Sequence, residues 1–188
     1  ADIDQADTLT SLWQQPFVLL AALDARYRRH RQRRVESHSA DEQWVGLAYR
    51  LRGADFASSQ NQIREVLTLP EITRVPGAQS WLMGLANIRG ELVPLIDLGA
   101  FMGQEALLVQ RANRVLMGHL AGLSVGFVVD ELYGFRRFMP RQFSSSIPEK
   151  IENFGAWIEG QFIQDEHTWL VLNLEQLARS EMFLQAAA

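Results

Sequence analysis

The hydrophobic pattern of the chain changes period near residue 42. After an acidic and polar stretch over residues 1–15, Pro16 opens a helical pattern, as proline does at a first helical position. Phe17, Leu20, Leu23 and Tyr27 fall at helical spacing on one face. Val35–Ala40, with Ser37 and Ser39, reads as a polar hinge. From Glu42 onward Val45, Leu47, Tyr49 and Leu51 alternate with Trp44, Gly46, Ala48 and Arg50, the period of a half-buried strand.

The rest is a series of short apolar runs broken by glycine and proline. Gly53-Ala54-Asp55 turns the chain back into Phe56-Ala57, and Asn61–Leu69 reads as a connection and a strand. Pro70 and Pro76 bracket a loop, and Gln79–Leu82 is predicted as one helical turn carrying Trp81. The central stretch is Gly84 to Leu98, GLANIRGELVPLIDL. Its runs Leu85–Ile88 and Leu92–Ile96 flank Arg89-Gly90-Glu91, which predicts a tight hairpin. Apolar residues at nearly every position mean that both faces are covered. Pro94 cannot donate to a ladder, so it is expected at an edge or a bulge.

Asp97–Gly103 is expected as a helical turn capped by Asp97. Arg114–Ala121 and Leu123–Asp130 form a second hairpin around Ala121-Gly122, and Leu132–Met139 is a strand stopped by Pro140. Ser144-Ser145-Ser146 with Pro148 is a surface loop, Phe154–Gln164 and Trp169–Leu172 pair as a hairpin, and Leu174–Leu184 closes the chain as a helix. The pattern of the central stretch returns at the same length in Gly160 to Leu174, GQFIQDEHTWLVLNL. Gly84 aligns with Gly160, Val93 with Trp169, Ile96 with Leu172 and Asp97 with Asn173. Either one unit is built twice, or two apolar hairpins coincide. The predicted order is a helix, then about ten short strands with few helices, which points to an all-β domain of two small barrels with a helix at each end.

Composition narrows the function classes. Of 188 residues, 47% are hydrophobic and 21% charged, ordinary for a globular protein that buries a sizeable core. The net charge of −4 gives no global reason to expect nucleic acid. With no cysteine there is no disulfide framework, thiolate site or cysteine nucleophile. No apolar run has the length of a membrane span, and no secretory leader is read, so a cytoplasmic protein is the expectation. The one strong local charge is Arg26-Tyr27-Arg28-Arg29-His30-Arg31-Gln32-Arg33-Arg34. It reads either as the arginine-rich end of a helix, matched to the dipole, or as a site for an anionic surface or nucleic acid. The apolar face of that helix either docks on its own chain or joins a partner.

Candidate chemistry is sparse. Gly122-Leu123-Ser124-Val125-Gly126 matches G-x-S-x-G, but strand residues follow the serine where a nucleophile elbow needs a helix. His30, His38, His119 and His167 lack metal-ligand spacing, and there is no phosphate-binding glycine loop, so no metal or cofactor is expected. Asp97 and Asp130 follow apolar strands and read as strand-end caps. What stands out is polarity at fixed spots: Glu65 within Ile63-Arg64-Glu65-Val66, and Asn87 and Arg89 on the central hairpin. As a turn residue in water, Arg89 would lose roughly 0–1 kcal/mol on truncation. Desolvated against a partner carboxylate, it would lose roughly 2–5 kcal/mol of binding.

The run WLMGLANIRGELVPLIDL resembles the signature of the CheW family of chemotaxis adaptors, a Gly-Val-x-Asn-Leu-Arg-Gly segment leading into a Val-Pro-x-x-Asp-Leu strand. IREVL, RVLMGHLAGLSVGFVVDEL and GQFIQDEHTWLVLNL resemble further family segments in the same order, over about residues 42–180. The N-terminal helix and the Gly99-Ala100-Phe101-Met102-Gly103 continuation resemble the PilI-type adaptors of type IV pilus (twitching) chemosensory systems. The resemblance implies an N-terminal extension over 1–40 and, over 41–188, two intertwined five-stranded SH3-like barrels without enzymatic activity. It implies a bridge between the cytoplasmic tip of a methyl-accepting receptor and the regulatory domain of a CheA-type histidine kinase. Carried over by position, Ile63 and Glu65 fall on the kinase- or receptor-facing surface, and Gly84, Asn87 and Arg89 on the signature segment tied to coupling. Two departures stand out: Ser58-Ser59-Gln60 is more polar than usual, and Asp165-Glu166-His167 is expected as a longer, more charged turn.

Overall fold

A computed structural model describes residues 43–147 and 156–185. The predicted N-terminal helix, its arginine run and the 1–40 extension lie outside the described residues. The strands are β1 (Trp44–Leu51), β2 (Ala54–Ser59), β3 (Glu65–Thr68), β4 (Leu82–Ile88) and β5 (Glu91–Asp97), followed by the short helix α1 (Leu98–Phe101). Then come β6 (Arg114–Leu120), β7 (Leu123–Val129), β8 (Glu131–Phe138), β9 (Phe143–Ser144), β10 (Ile158–Gln164) and β11 (His167–Leu172). Helices α2 (Leu174–Ala178) and α3 (Glu181–Leu184) close the described chain.

The strands form two sheets. One has the order β8-β1-β2-β11-β10-β9 and the other β3-β6-β7-β5-β4. The five-stranded sheet is thus inserted between two parts of the six-stranded one, which is how the two halves intertwine. The sixth strand, the two-residue β9, exceeds the expected five and takes Ser144 out of the predicted surface loop. Each sheet curls until its far strands meet. Glu65 on β3 reaches Arg89 at the end of β4, and Phe138 on β8 stacks on Phe162 of β10 at 4.6 Å.

The core explains the doubly apolar strands. On β1, Leu47, Tyr49 and Leu51 join a cluster shared by both sheets, whereas Ala48 joins the interior of the six-stranded sheet. On β7, Val125, Phe127 and Val129 enter the shared cluster and Val128 enters the five-stranded interior. Strand alternation therefore serves two cores at once. The polar departure at Ser58 is satisfied: its hydroxyl donates to the Leu172 carbonyl at 2.8 Å and meets the Tyr49 hydroxyl at 2.8 Å. Burial pushes the Tyr49 hydroxyl well above its ordinary pKa, against a smaller lowering by Ser58, so it remains a neutral partner.

The repeat is structural. A constant offset carries Trp81 onto Trp157, Gly84 onto Gly160 and Asp97 onto Asn173. Each hairpin has a bulge just before its glycine, and both glycines have positive φ, 145° and 153°. A side chain on Gly84 would collide with the Thr73 carbonyl, and one on Gly160 with the Ser144 carbonyl. The Trp81 carbonyl accepts from the Asp97 N–H at 2.9 Å, and the Trp157 carbonyl from the Asn173 N–H at 2.8 Å. Both Asp97 and Asn173 then cap a short helix.

Four local expectations change. Gln79–Leu82 closes a single hydrogen-bonded turn rather than a helical one. Pro94 lies on β5, an interior strand, beside the bulge-bearing pair, and the parallel ladder to β7 starts only at Leu95, so no β7 partner is lost. The C-terminal helix is two helices, because the Ser180 side chain caps a new start at Phe183 N–H. The Asp165-Glu166 turn is no longer than the first hairpin's: both residues have positive φ, as Arg89-Gly90 do, the form of a two-residue hairpin loop.

One polar clamp crosses between the sheets. Arg52, in the β1–β2 turn of the six-stranded sheet, donates to Asp97 at 2.5 Å and to Asp130, and its Nε donates to the Glu105 carbonyl at 3.0 Å. The Arg52 backbone N–H also donates to Asp130 at 2.6 Å. Asp97, 3% exposed, accepts in addition from the N–H groups of Ala100 and Leu107. Gly99 has no side chain to block the guanidinium. Truncating Arg52 to Ala strands a buried carboxylate and is expected to cost about 3–5 kcal/mol in urea denaturation. Adding Asp97→Asn in that background is expected to recover part of the loss, since an amide fills the equivalent place at Asn173.

Candidate functional site

The residues singled out in the sequence lie on or next to β3 and β4, the two end strands of the five-stranded sheet. A 3-10 turn over Gln60–Gln62 ends at Ile63, which is half-buried against the shared core. The next N–H, of Arg64, donates to the Met117 carbonyl at 2.8 Å and starts the pairing that places Glu65 opposite Met117 on β6. On the other side of the sheet, Asn87 accepts from the Gly90 N–H at 2.9 Å and so holds the hairpin turn closed. That turn sets Arg89 at φ 53°, with its side chain thrown out from the strand end. Arg89 and Glu65 meet at 2.6 Å, the arginine 76% exposed and the glutamate 28%.

The structure therefore joins Glu65, Asn87 and Arg89 into one exposed feature on the rim of the barrel. Gly84 is buried; it admits the 72–73 segment, whose Thr73 exchanges two backbone hydrogen bonds of 2.8 Å with Leu85. Leu92, opposite Asn87 on β5, is 67% exposed. An exposed pair of this kind gains little in water because both charges are well solvated.

The six-stranded sheet carries a second polar cluster that local sequence did not signal. Asp55 on β2 accepts from Arg50 at 3.1 Å, the Tyr133 hydroxyl at 3.0 Å and His167 at 2.5 Å. A β8 bulge turns Tyr133 toward this cluster. Burial alone would raise the Asp55 carboxyl, but the hydrogen bonds from His167, Tyr133 and Arg50, with the Arg50 charge, hold it below the usual aspartate range. Burial and the bond to Asp55 push the Tyr133 hydroxyl up. These partners lie 78 and 112 positions from Asp55 in the chain, so only the fold reveals them.

Catalytic geometry is not assembled at Ser124. It sits on β7, a continuous strand, with His119 at 3.5 Å. Among the described residues no group of three or more histidines and acids could hold a metal. No helix among them is long and apolar enough to cross a membrane.

Comparison with known proteins decides the family. Residues 45–182 match the model of the CheW-like domain. The chain belongs to the CheW family. Protein PilI of Pseudomonas aeruginosa is 34% identical over 174 residues, which span 93% of this chain and 97% of that protein. Chemotaxis protein CheW of Thermotoga maritima is 22% identical over 70% of this chain and 85% of that one. The crystal structure of the scaffolding protein TtCheW from Thermoanaerobacter tengcongensis superposes with a TM-score of 0.67 at 20% identity, over 75% of this chain and 96% of that chain. The chain is thus a CheW-like scaffold of chemotaxis-type signalling, and CheW proteins are non-catalytic adaptors.

Two measurements check this geometry. A double-mutant cycle on Glu65→Gln and Arg89→Gln is expected to give a coupling of about 0.2–1 kcal/mol in urea denaturation. Stability contributed by Asp55 is present above its ordinary pKa and is lost as pH falls through its lowered folded value. Asp55→Asn is therefore expected to flatten the decline in stability below about pH 4, read from denaturation midpoints at stepped pH.

Proposed function

We propose that this CheW-family chain couples a methyl-accepting chemoreceptor to a CheA-type histidine kinase in a type IV pilus (twitching) chemosensory system. The observation that carries the reading is the Glu65–Arg89 pair, an exposed and weakly committed ion pair on the barrel rim. Arg89 stands in the segment that resembles the adaptor signature, and Glu65 in IREVL, a second segment that resembles the family. The match along nearly the whole of PilI supports the pilus assignment.

In this reading Glu65, Asn87 and Arg89 face the partner. Ile63 and Gly84 act by holding β3 and β4 in place. The exposed Leu92 supplies apolar area opposite Asn87. The regulatory domain of the kinase and the cytoplasmic tip of the receptor are the two partners, and the chain works in the cytoplasm at membrane-associated receptor arrays. The family match begins at residue 45, which supports an N-terminal extension over 1–40 distinct from the adaptor domain. The alternative, an anionic-surface or nucleic-acid module using Arg26–Arg34, draws no support from the family match.

Binding of the full chain to the regulatory domain of a pilus-type kinase tests the proposal by calorimetry. Arg89→Glu is expected to weaken it by about 2–5 kcal/mol, because the pair is desolvated in the complex. Wild-type affinity for both kinase and receptor in the doubly reversed Glu65→Arg, Arg89→Glu variant overturns the site. Loss of partner binding on deleting residues 1–38, with steep salt dependence, favours the arginine run instead.

A further inference from the structure

The mouth of the six-stranded barrel holds a pocket of about 260 Å³ lined by Arg50, Tyr133, Arg136, Gln164, Asp165, His167 and Trp169. It lies on the other sheet from Glu65 and Arg89, and its chemistry is independent of the partners proposed for that pair. We propose that this pocket receives a single carboxylate side chain, an aspartate or glutamate presented by an acidic segment of a partner protein.

Among the pocket's cations, Arg136 is a guanidinium with no carboxylate partner among the described residues. Arg136 is exposed and its guanidinium lies over the Trp169 ring at 4.6 Å. Stacking on an indole fixes the guanidinium plane and removes water from one face, while leaving its N–H edge free. A fixed planar fork of donors matches the two oxygens of a carboxylate.

The neighbouring groups narrow the ligand. Asp55 does not serve Arg136, because it already accepts from Arg50, Tyr133 and His167. Its hydrogen bond engages Nε of Arg50 and leaves the two terminal nitrogens of that side chain for the pocket it lines. Asp165, on the hairpin turn, is the one acidic lining residue. It offsets part of the guanidinium charge, so the pocket suits one carboxylate and not a polyanion such as nucleic acid. Gln164 and the Trp169 edge supply a polar and an apolar wall for the methylenes of the entering side chain.

The test is a titration of the full chain, labelled with 15N, followed at the Trp169 indole N–H and the His167 ring. The probes are N-acetyl-glutamate amide and N-acetyl-glutamine amide, and CD spectra verify that each variant is folded. The expected result is saturable shifts at both groups with the glutamate probe in the millimolar range, and binding weakened about tenfold or more with the glutamine probe. Arg136→Gln is expected to abolish the response. Arg136→Lys keeps the charge but loses the planar stack, and is expected to bind several-fold more weakly than wild type. Arg89→Glu is expected to respond as wild type, which separates this site from the rim pair. Equal shifts with both probes, or an undiminished response in folded Arg136→Gln, overturn the proposal.

Discussion

Burial of single strands on both faces is the constraint that shapes the rest of the molecule. On β11, Leu170 and Leu172 enter the shared cluster while Trp169 and Val171 enter the six-stranded interior. On β5, Ile96 enters the shared cluster while Val93 and Leu95 enter the five-stranded one. Neither barrel can keep its own core and give up the other. Separating them would expose the large side chains of the shared cluster, at roughly 25 cal/mol for each Å² of apolar surface returned to water. Polar groups enter this interior only when fully partnered, as Arg52 with Asp97 and Tyr49 with Ser58 are.

The repeat lets one solution to this constraint serve twice. Gly84 and Gly160 each let a neighbouring segment approach, and each hairpin ends in a side chain that caps a short helix. The two copies differ in how that cap is balanced. Asp97 carries a charge and takes the guanidinium of Arg52. Asn173 carries none and takes amides and acids instead, with Gln62 at 2.8 Å and Glu159 at 2.6 Å. The frameworks are alike inside and unlike outside, because turn residues exposed to water are free of the packing constraint. Arg89-Gly90 faces an acid across one barrel, whereas the second turn leads into His167 and the Asp55 cluster. One fold thereby offers two chemically distinct rims.

What was legible in the sequence is what periodicity encodes. The central hairpin, the β6–β7 hairpin, the Asp97 cap and the repeated unit appear where the apolar runs and glycines put them. Glu65 and Arg89 were both visible as polar exceptions, but not as a pair, because β3 and β4 lie at opposite ends of the sheet order and meet only when it curls. Arg52, Arg136 and Tyr133 carried no local signal: each acts on a residue far along the chain or through a bulge that breaks the alternation. Pro94 was misplaced for a related reason. Its missing N–H matters only where a neighbouring strand is paired, and β7 joins β5 one residue later.

The contrast between inner and outer ion pairs carries the functional argument furthest. Arg52 and Asp97 are shielded, hydrogen-bonded on every side and tied to the packing of both sheets. Exchanging either for an outside partner would leave a buried charge, so that pair is committed to holding the barrels. Arg89 and Glu65 are the reverse. In the free chain they satisfy each other at low net gain, which keeps the rim from presenting a bare charge. Under the function proposed above a partner covers the rim, the same charges leave water, and correct pairing then separates a good fit from a poor one. An adaptor needs this division, since surfaces that must be engaged and released cannot be the ones that hold the fold.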